Sequence, residues 1–158
     1  MKNLDELQVY KTAILESLLK SPEIINLISG KANEISNADQ LLYINIFPWD
    51  YTPESSADPK TYLSFEIDVT SVANSMKEMQ ITFYLITHQS LMKMENGTRL
   101  DNLSNALCGL FHGVSGFGIG KLEWNPEEPF IHEPLQNQLY KRTLRFLTKD
   151  FNLRPRKS

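Results

Sequence analysis

The chain has 158 residues, 41% of them hydrophobic and 22% charged, which is the composition of one globular domain large enough to fold without disulfides or metals. Its single cysteine, Cys108, excludes an internal disulfide and a multi-cysteine zinc site. The net charge of −3 and pI near 5.6 argue against a general nucleic-acid binder, and no apolar run approaches a membrane span.

The opening segment MKNLDELQVYKTAILESLLK carries Asp5, Glu6 and Glu16 among its apolar positions. It therefore lacks the uninterrupted apolar centre of a signal peptide, and the expected location is the cytoplasm. Asn3 followed by Glu6 has helix N-cap spacing, and Leu4, Leu7, Ile14, Leu15 and Leu18 repeat at helical intervals, so an amphipathic helix is predicted. Ser21 before Pro22 makes a cap and first turn for a second, shorter helix through Ile24, Ile25, Leu27 and Ile28, which Gly30 closes.

LLYINIF, ending at Pro48, and TYLSFEIDV, which alternates Leu63, Phe65, Ile67 and Val69 against Tyr62, Ser64, Glu66 and Asp68, read as strands. Between them PWDYTPESSADPK, with three prolines and three acidic residues, reads as a long irregular loop. MQITFYLITHQ, rich in β-branched and aromatic residues, reads as a third strand covered on both faces. The period then changes. Thr98 and Asp101 have capping-box spacing, and Leu100, Leu103, Leu107, Leu110 and Phe111 mark one face of a helix that stops before Gly113. GIGKLEW and LYKRTLRFLTKDF read as two further strands, with EWNPEEPFIHEP as a proline-rich connection.

This order predicts a single α+β domain over residues 1–152, with a mainly antiparallel sheet of about five strands flanked by two long helices and one short one. Residues 153–158, within NLRPRKS, form a basic tail.

The glycine-rich stretch HGVSGFGIGKLEW invites a phosphate-loop reading, but such loops lead from a strand into a helix, whose N-terminus faces the anion. Here the glycines follow a helix and precede a strand. They match neither GxxxxGK[ST] nor GxGxxG, so their expected role is to cap the helix and turn the backbone. His88, His112 and His132 share no metal-ligand spacing, and no nucleophile motif is present. His112 falls at a helix C-terminus, where the dipole favours an imidazolium. Cys108 lies beside an apolar stripe, as a packed thiol does. Glu66 and Asp68 stand two apart on a polar strand face, a pattern that suits solvent or a partner better than an acid/base pair. The expectation is a protein without enzymatic activity, metal or cofactor. Aromatics expected on loops and edges, namely Trp49, Tyr51, Tyr62, Tyr84, Trp124 and Phe130, are the residue types that anchor interfaces.

Taken in order, LLYINIFPWDYTPE, TYLSFEIDV, ITFYLITHQSLM, GTRLDNLSNALCGLFHG with GFGIGKLEW, and RTLRFLTKDFN resemble the tail-terminator, or tail-completion, proteins of tailed bacteriophages over residues 40–152. The resemblance implies a sheet flanked by helices and a hexameric ring in the virion neck, assembled in the host cytoplasm. Such a ring caps the tail tube and joins it to a head-completion or stopper protein, while phage DNA passes through without sequence-specific contact and no membrane takes part. A stopper or adaptor of the connector is the alternative from the same virion, and a small enzyme is the alternative from another class. Expected interface residues are Trp49, Asp50, Tyr51, Glu54 and Asp58 of the long loop, together with Glu66 and Asp68.

Overall fold

The computed structural model describes residues 2–30, 38–53, 59–73, 76–114, 122–125, 131–134 and 138–151. Helix α1 (Lys2–Leu19) is followed by α2 (Pro22–Ser29), a 3-10 turn (Ala38–Leu41) and the two-residue strand β1 (Ile46–Phe47). The strands β2 (Thr61–Ala73) and β3 (Met76–His88) follow, then a 3-10 turn (Gln89–Leu91) and helix α3 (Arg99–Phe111). The chain ends in β4 (Glu123–Trp124), β5 (Ile131–Pro134) and β6 (Leu139–Phe151). This is the predicted α+β domain.

The helix ends form for local reasons. Ser21 Oγ accepts the Ile24 N–H at 3.3 Å with Pro22 in the first turn. Gly30 closes α2 at φ +73°, its N–H donating to the Asn26 carbonyl. Thr98 Oγ1 accepts the Asp101 N–H at 3.2 Å to start α3. Helix α1 already begins at Lys2, so Asn3 lies inside the helix rather than at its cap.

Strand order is β1-β2-β3-β6-β4, and β5 also pairs with β6. β2, β3 and β6 are antiparallel neighbours along their length, and β1 joins β2 in parallel. β4 pairs with Phe146 and Leu147 while β5 pairs with residues from Tyr140 to Thr143, so both use the edge of β6 that faces away from β3. The sheet is thus five strands wide although it contains six.

Two expectations about the strands need correction. LLYINIF is mostly a turn: the Tyr43 N–H donates to the Ile46 carbonyl at 2.8 Å, the Asn45 N–H to the Leu41 carbonyl at 2.8 Å, and only Ile46 and Phe47 pair as a strand. A run of large apolar residues carries no period that separates strand from turn over so short a span. IHEP, read as connection, is strand β5, because β6 offers it a free edge that no local pattern announces.

Strand alternation gives the sheet two different faces. One, with Leu63, Phe65 and Ile67 of β2, Ile81, Phe83 and Leu85 of β3, and Leu144 and Phe146 of β6, packs under the helices. Ile14 and Leu18 of α1, Ile24 of α2, and Leu103, Leu107 and Phe111 of α3 complete this core. Phe83 is at its centre, with ring centroids 5.9 Å from Phe65, 5.3 Å from Phe111 and 5.8 Å from Phe146. A smaller cluster of Phe47, Tyr62, Ile86 and Leu139, with Tyr51 against it, lies on the opposite face.

Candidate functional site

The opposite face carries the residues singled out from the sequence. Successive even-numbered positions of β2 and β3 share it, since Glu66 aligns with Thr82 and Asp68 with Gln80. Across β3, Thr82 aligns with Arg145 and Tyr84 with Thr143 of β6. Glu66 and Asp68 therefore do share a face, as the alternation predicted, but they differ in setting. Glu66 is half-buried and accepts a hydrogen bond from the Tyr84 hydroxyl. Asp68 is exposed.

The segment after β1 is held against this face. The Tyr51 backbone N–H donates to Ser64 Oγ at 3.3 Å, and the Tyr51 ring stacks on Phe47 at 3.8 Å between centroids, with Tyr62 at 5.6 Å. Asp50 comes close enough that its charge acts on Tyr84. Burial first, then the hydrogen bond and charge of Glu66, then Asp50, raise the Tyr84 hydroxyl far above its ordinary value, with Arg145 opposing. Lys141 Nζ sits 4.6 Å above the Tyr84 ring centroid. Asp50, Glu66, Tyr84, Lys141 and Arg145 thus form one polar neighbourhood.

Among the aromatics expected to be exposed, Trp49 is, at 47%. Tyr62 is buried, and Tyr51, Tyr84 and Trp124 are partly covered. The reason for the Tyr62 difference is the second cluster, which covers a position that strand alternation alone assigned to the polar side. Phe130, Glu54 and Asp58 lie outside the described residues, as do Gly116, Gly118 and Gly120 of the glycine-rich stretch and the basic tail. Sequence reasoning missed Tyr43 and Ile44, exposed at 56% and 54%. Tyr43 stacks on Trp49 at 5.7 Å, and Trp49 meets Phe47 edge-on at 5.4 Å. The signal was hidden because these residues were assigned to a strand.

The groups with potential chemistry are otherwise occupied. His112 Nδ1 accepts the Trp124 N–H at 3.1 Å, a contact that joins the end of α3 to β4. His88 Nδ1 likewise accepts the Ser90 N–H at 3.0 Å. Cys108 is half-buried, and burial pushes its thiol up, away from the reactive thiolate. Among the described residues no group of His, Cys, Asp and Glu could hold a metal ion, and no described helix is long and apolar enough to cross a membrane. A cleft of about 350 Å³ opens between α2 and the start of β2, lined in part by Gly30, Leu41, Asn45, Lys60 and Arg99. Two of its polar side chains hold the fold: Arg99 donates to the Leu91 and Leu27 carbonyls, and Asn45 Nδ2 to the Thr61 carbonyl at 2.9 Å.

What this surface offers is contact area, with three large apolar side chains in solvent beside a set of carboxylates. A family model described as YomW matches residues 16–148, which run from the second half of α1 to Thr148 near the end of β6. The chain belongs to the YomW family. The name is of the Bacillus phage type, and the protein is phage-related. The YomW match takes in the candidate surface whole, from Tyr43 to Arg145. No curated protein matches the chain.

Proposed function

We propose that this phage-related protein is a structural component of the virion neck, building a ring, hexameric by its resemblance to tail-completion proteins, that caps the tail tube and joins it to the head connector. The observation that carries the reading is the exposed Tyr43, Ile44 and Trp49 patch beside Asp50, since a soluble domain keeps large apolar groups together in solvent chiefly where another protein covers them. The neck in particular is supported by the order of segments over residues 40–152, on a chain of a phage-type family. In this role the ring works by geometry. One face meets the last ring of tail-tube subunits, the other meets the head-completion protein, and a subunit with net charge −3 leaves passing DNA unbound.

The test is removal of the gene from its phage. Electron microscopy of the lysate should show full heads beside unattached tails, and labelled protein should restore joining and decorate the head-proximal end of the tail. Normal particles in its absence would overturn the proposal.

A further inference from the structure

We infer that the cleft between the end of α2 and the start of β2 is a binding site for a small organic anion, one carboxylate or phosphate group carried on a short apolar body. The inference is independent of the ring reading above.

Three parts of the fold meet at this cleft. Gly30 closes α2 there, Lys60 leads into β2, and Arg99 is the first residue of α3. Its volume of about 350 Å³ falls within the span of roughly 300–1,000 Å³ that small-molecule sites occupy.

Two cationic side chains line the cleft, Lys60 and Arg99, and among the described residues no acidic one does. Neither cation forms an ion pair with a described residue. Two described acids stand within three positions of a lining residue, and neither supplies the missing charge. Asp101 is paired with Arg142, and Asp39, exposed in the turn that brings Leu41, does not line the cleft.

Arg99 gives the site its fixed half. Its Nε donates to the Leu91 carbonyl at 2.8 Å and its Nη1 to the Leu27 carbonyl, which sets the plane of the guanidinium. These bonds use two of five N–H donors, and both acceptors are neutral. Half-burial disfavours the charged guanidinium, and no described carboxylate offsets that cost. An oxyanion in the cleft would supply the absent charge to a guanidinium already held in one orientation. Lys60 is exposed, and its flexible ammonium serves as the second donor.

The remaining walls decide the body of the ligand. Ile28, Leu41, Pro59 and Leu91 present hydrocarbon. The neutral polar side chains are already hydrogen-bonded within the fold: Thr61 Oγ1 to Thr87 Oγ1 at 2.8 Å, Ser29 Oγ to the Ile25 carbonyl at 2.7 Å, and Asn45 Nδ2 to the Thr61 carbonyl. A sugar or nucleoside would leave many of its polar groups unpaired there, whereas a short alkyl chain ending in an oxyanion matches both the apolar walls and the two cations.

The experiment titrates the full-length, nitrogen-15-labelled protein with hexanoate and with hexyl phosphate while amide resonances are followed. Inorganic phosphate, hexanol and hexylamine are the controls. At least one of the two hexyl anions should give saturable shifts centred on Gly30, Thr61 and Arg99, and the tighter of the two identifies the head group. Each control should bind about tenfold more weakly or worse, since it lacks either the charge or the apolar body. Lys60→Glu, at an exposed position, should melt as the wild type does without ligand and weaken the tighter anion by about tenfold or more. Arg99→Lys, which keeps the charge and loses the planar fork, should weaken it as well, and Lys60→Glu decides the matter if that variant does not fold. No saturable shift with either hexyl anion, binding that Lys60→Glu leaves intact, or hexanol or hexylamine bound as tightly as the anions would overturn the inference.

Discussion

The Tyr84 hydroxyl donates a 2.5 Å hydrogen bond to Glu66 Oε1, tying β3 to β2 on the face away from the helices. Burial and the neighbouring carboxylates disfavour the tyrosinate in the folded chain, so its titration lies above the ordinary value of 10.0. A group whose native value is raised contributes stability that is full below its unfolded value and is lost as pH rises through the native one. Stability should accordingly fall above pH 10. In an ultraviolet titration of the native protein, the ionisation of Tyr84 should come above the ordinary tyrosine value, and Glu66→Gln should bring it earlier. A titration unchanged by Glu66→Gln in the folded protein would contradict this setting.

Trp49 and Tyr51 should part company on mutation. Tyr51 stacks on Phe47 and touches Tyr62, so Tyr51→Ala should cost about 2 kcal/mol in denaturant unfolding. Trp49→Ala, at an exposed position, should cost about 0.5 kcal/mol while weakening assembly. Equal stability losses would place Trp49 in the fold rather than at a contact.

Phe83 should be the costliest single truncation. It is 1% exposed and meets Phe65, Phe111 and Phe146, which come from β2, α3 and β6. Phe83→Ala should remove about 3–5 kcal/mol by opening a cavity where the helices meet the sheet. Phe83→Leu, which refills most of that space, should recover over half of the loss in the same unfolding measurement.

Two glycines close to one another in sequence should respond in opposite senses. Gly113 has φ +80°, and a Cβ there would meet nothing within 4 Å, so Gly113→Ala should cost about 1 kcal/mol for backbone conformation alone. Its N–H donates to the Leu122 carbonyl, which starts the return of the chain toward β4. Gly109, inside α3 with equally open surroundings, should gain about 0.5–1 kcal/mol on change to Ala. Thermal melts of the two variants should shift in opposite directions.

The sequence by itself determined the elements whose signals are local. Ser21 and Pro22 with Gly30 bound α2, Thr98 caps α3, and period-two alternation marks β2, because capping hydrogen bonds and strand faces depend on residues a few positions apart. The run LYKRTLRFLTKDF coincides with β6 for the same reason. Acidic Glu66 and Asp68 on one face followed from that alternation as well. Only the tertiary structure decided what lies beside each strand. The pairing of IHEP with β6 depends on a distant free edge, and the burial of Tyr62 depends on Phe47 and Leu139 arriving from either side of it in the chain. Tyr43 and Ile44 are exposed because a turn reverses the backbone between Leu41 and Ile46, where the apolar run carried no sign of it. The neighbourhood of Glu66, Tyr84, Lys141 and Arg145, too, exists only once β3 is placed between β2 and β6, since strand order is set by long-range burial and hydrogen bonding rather than by neighbours in sequence.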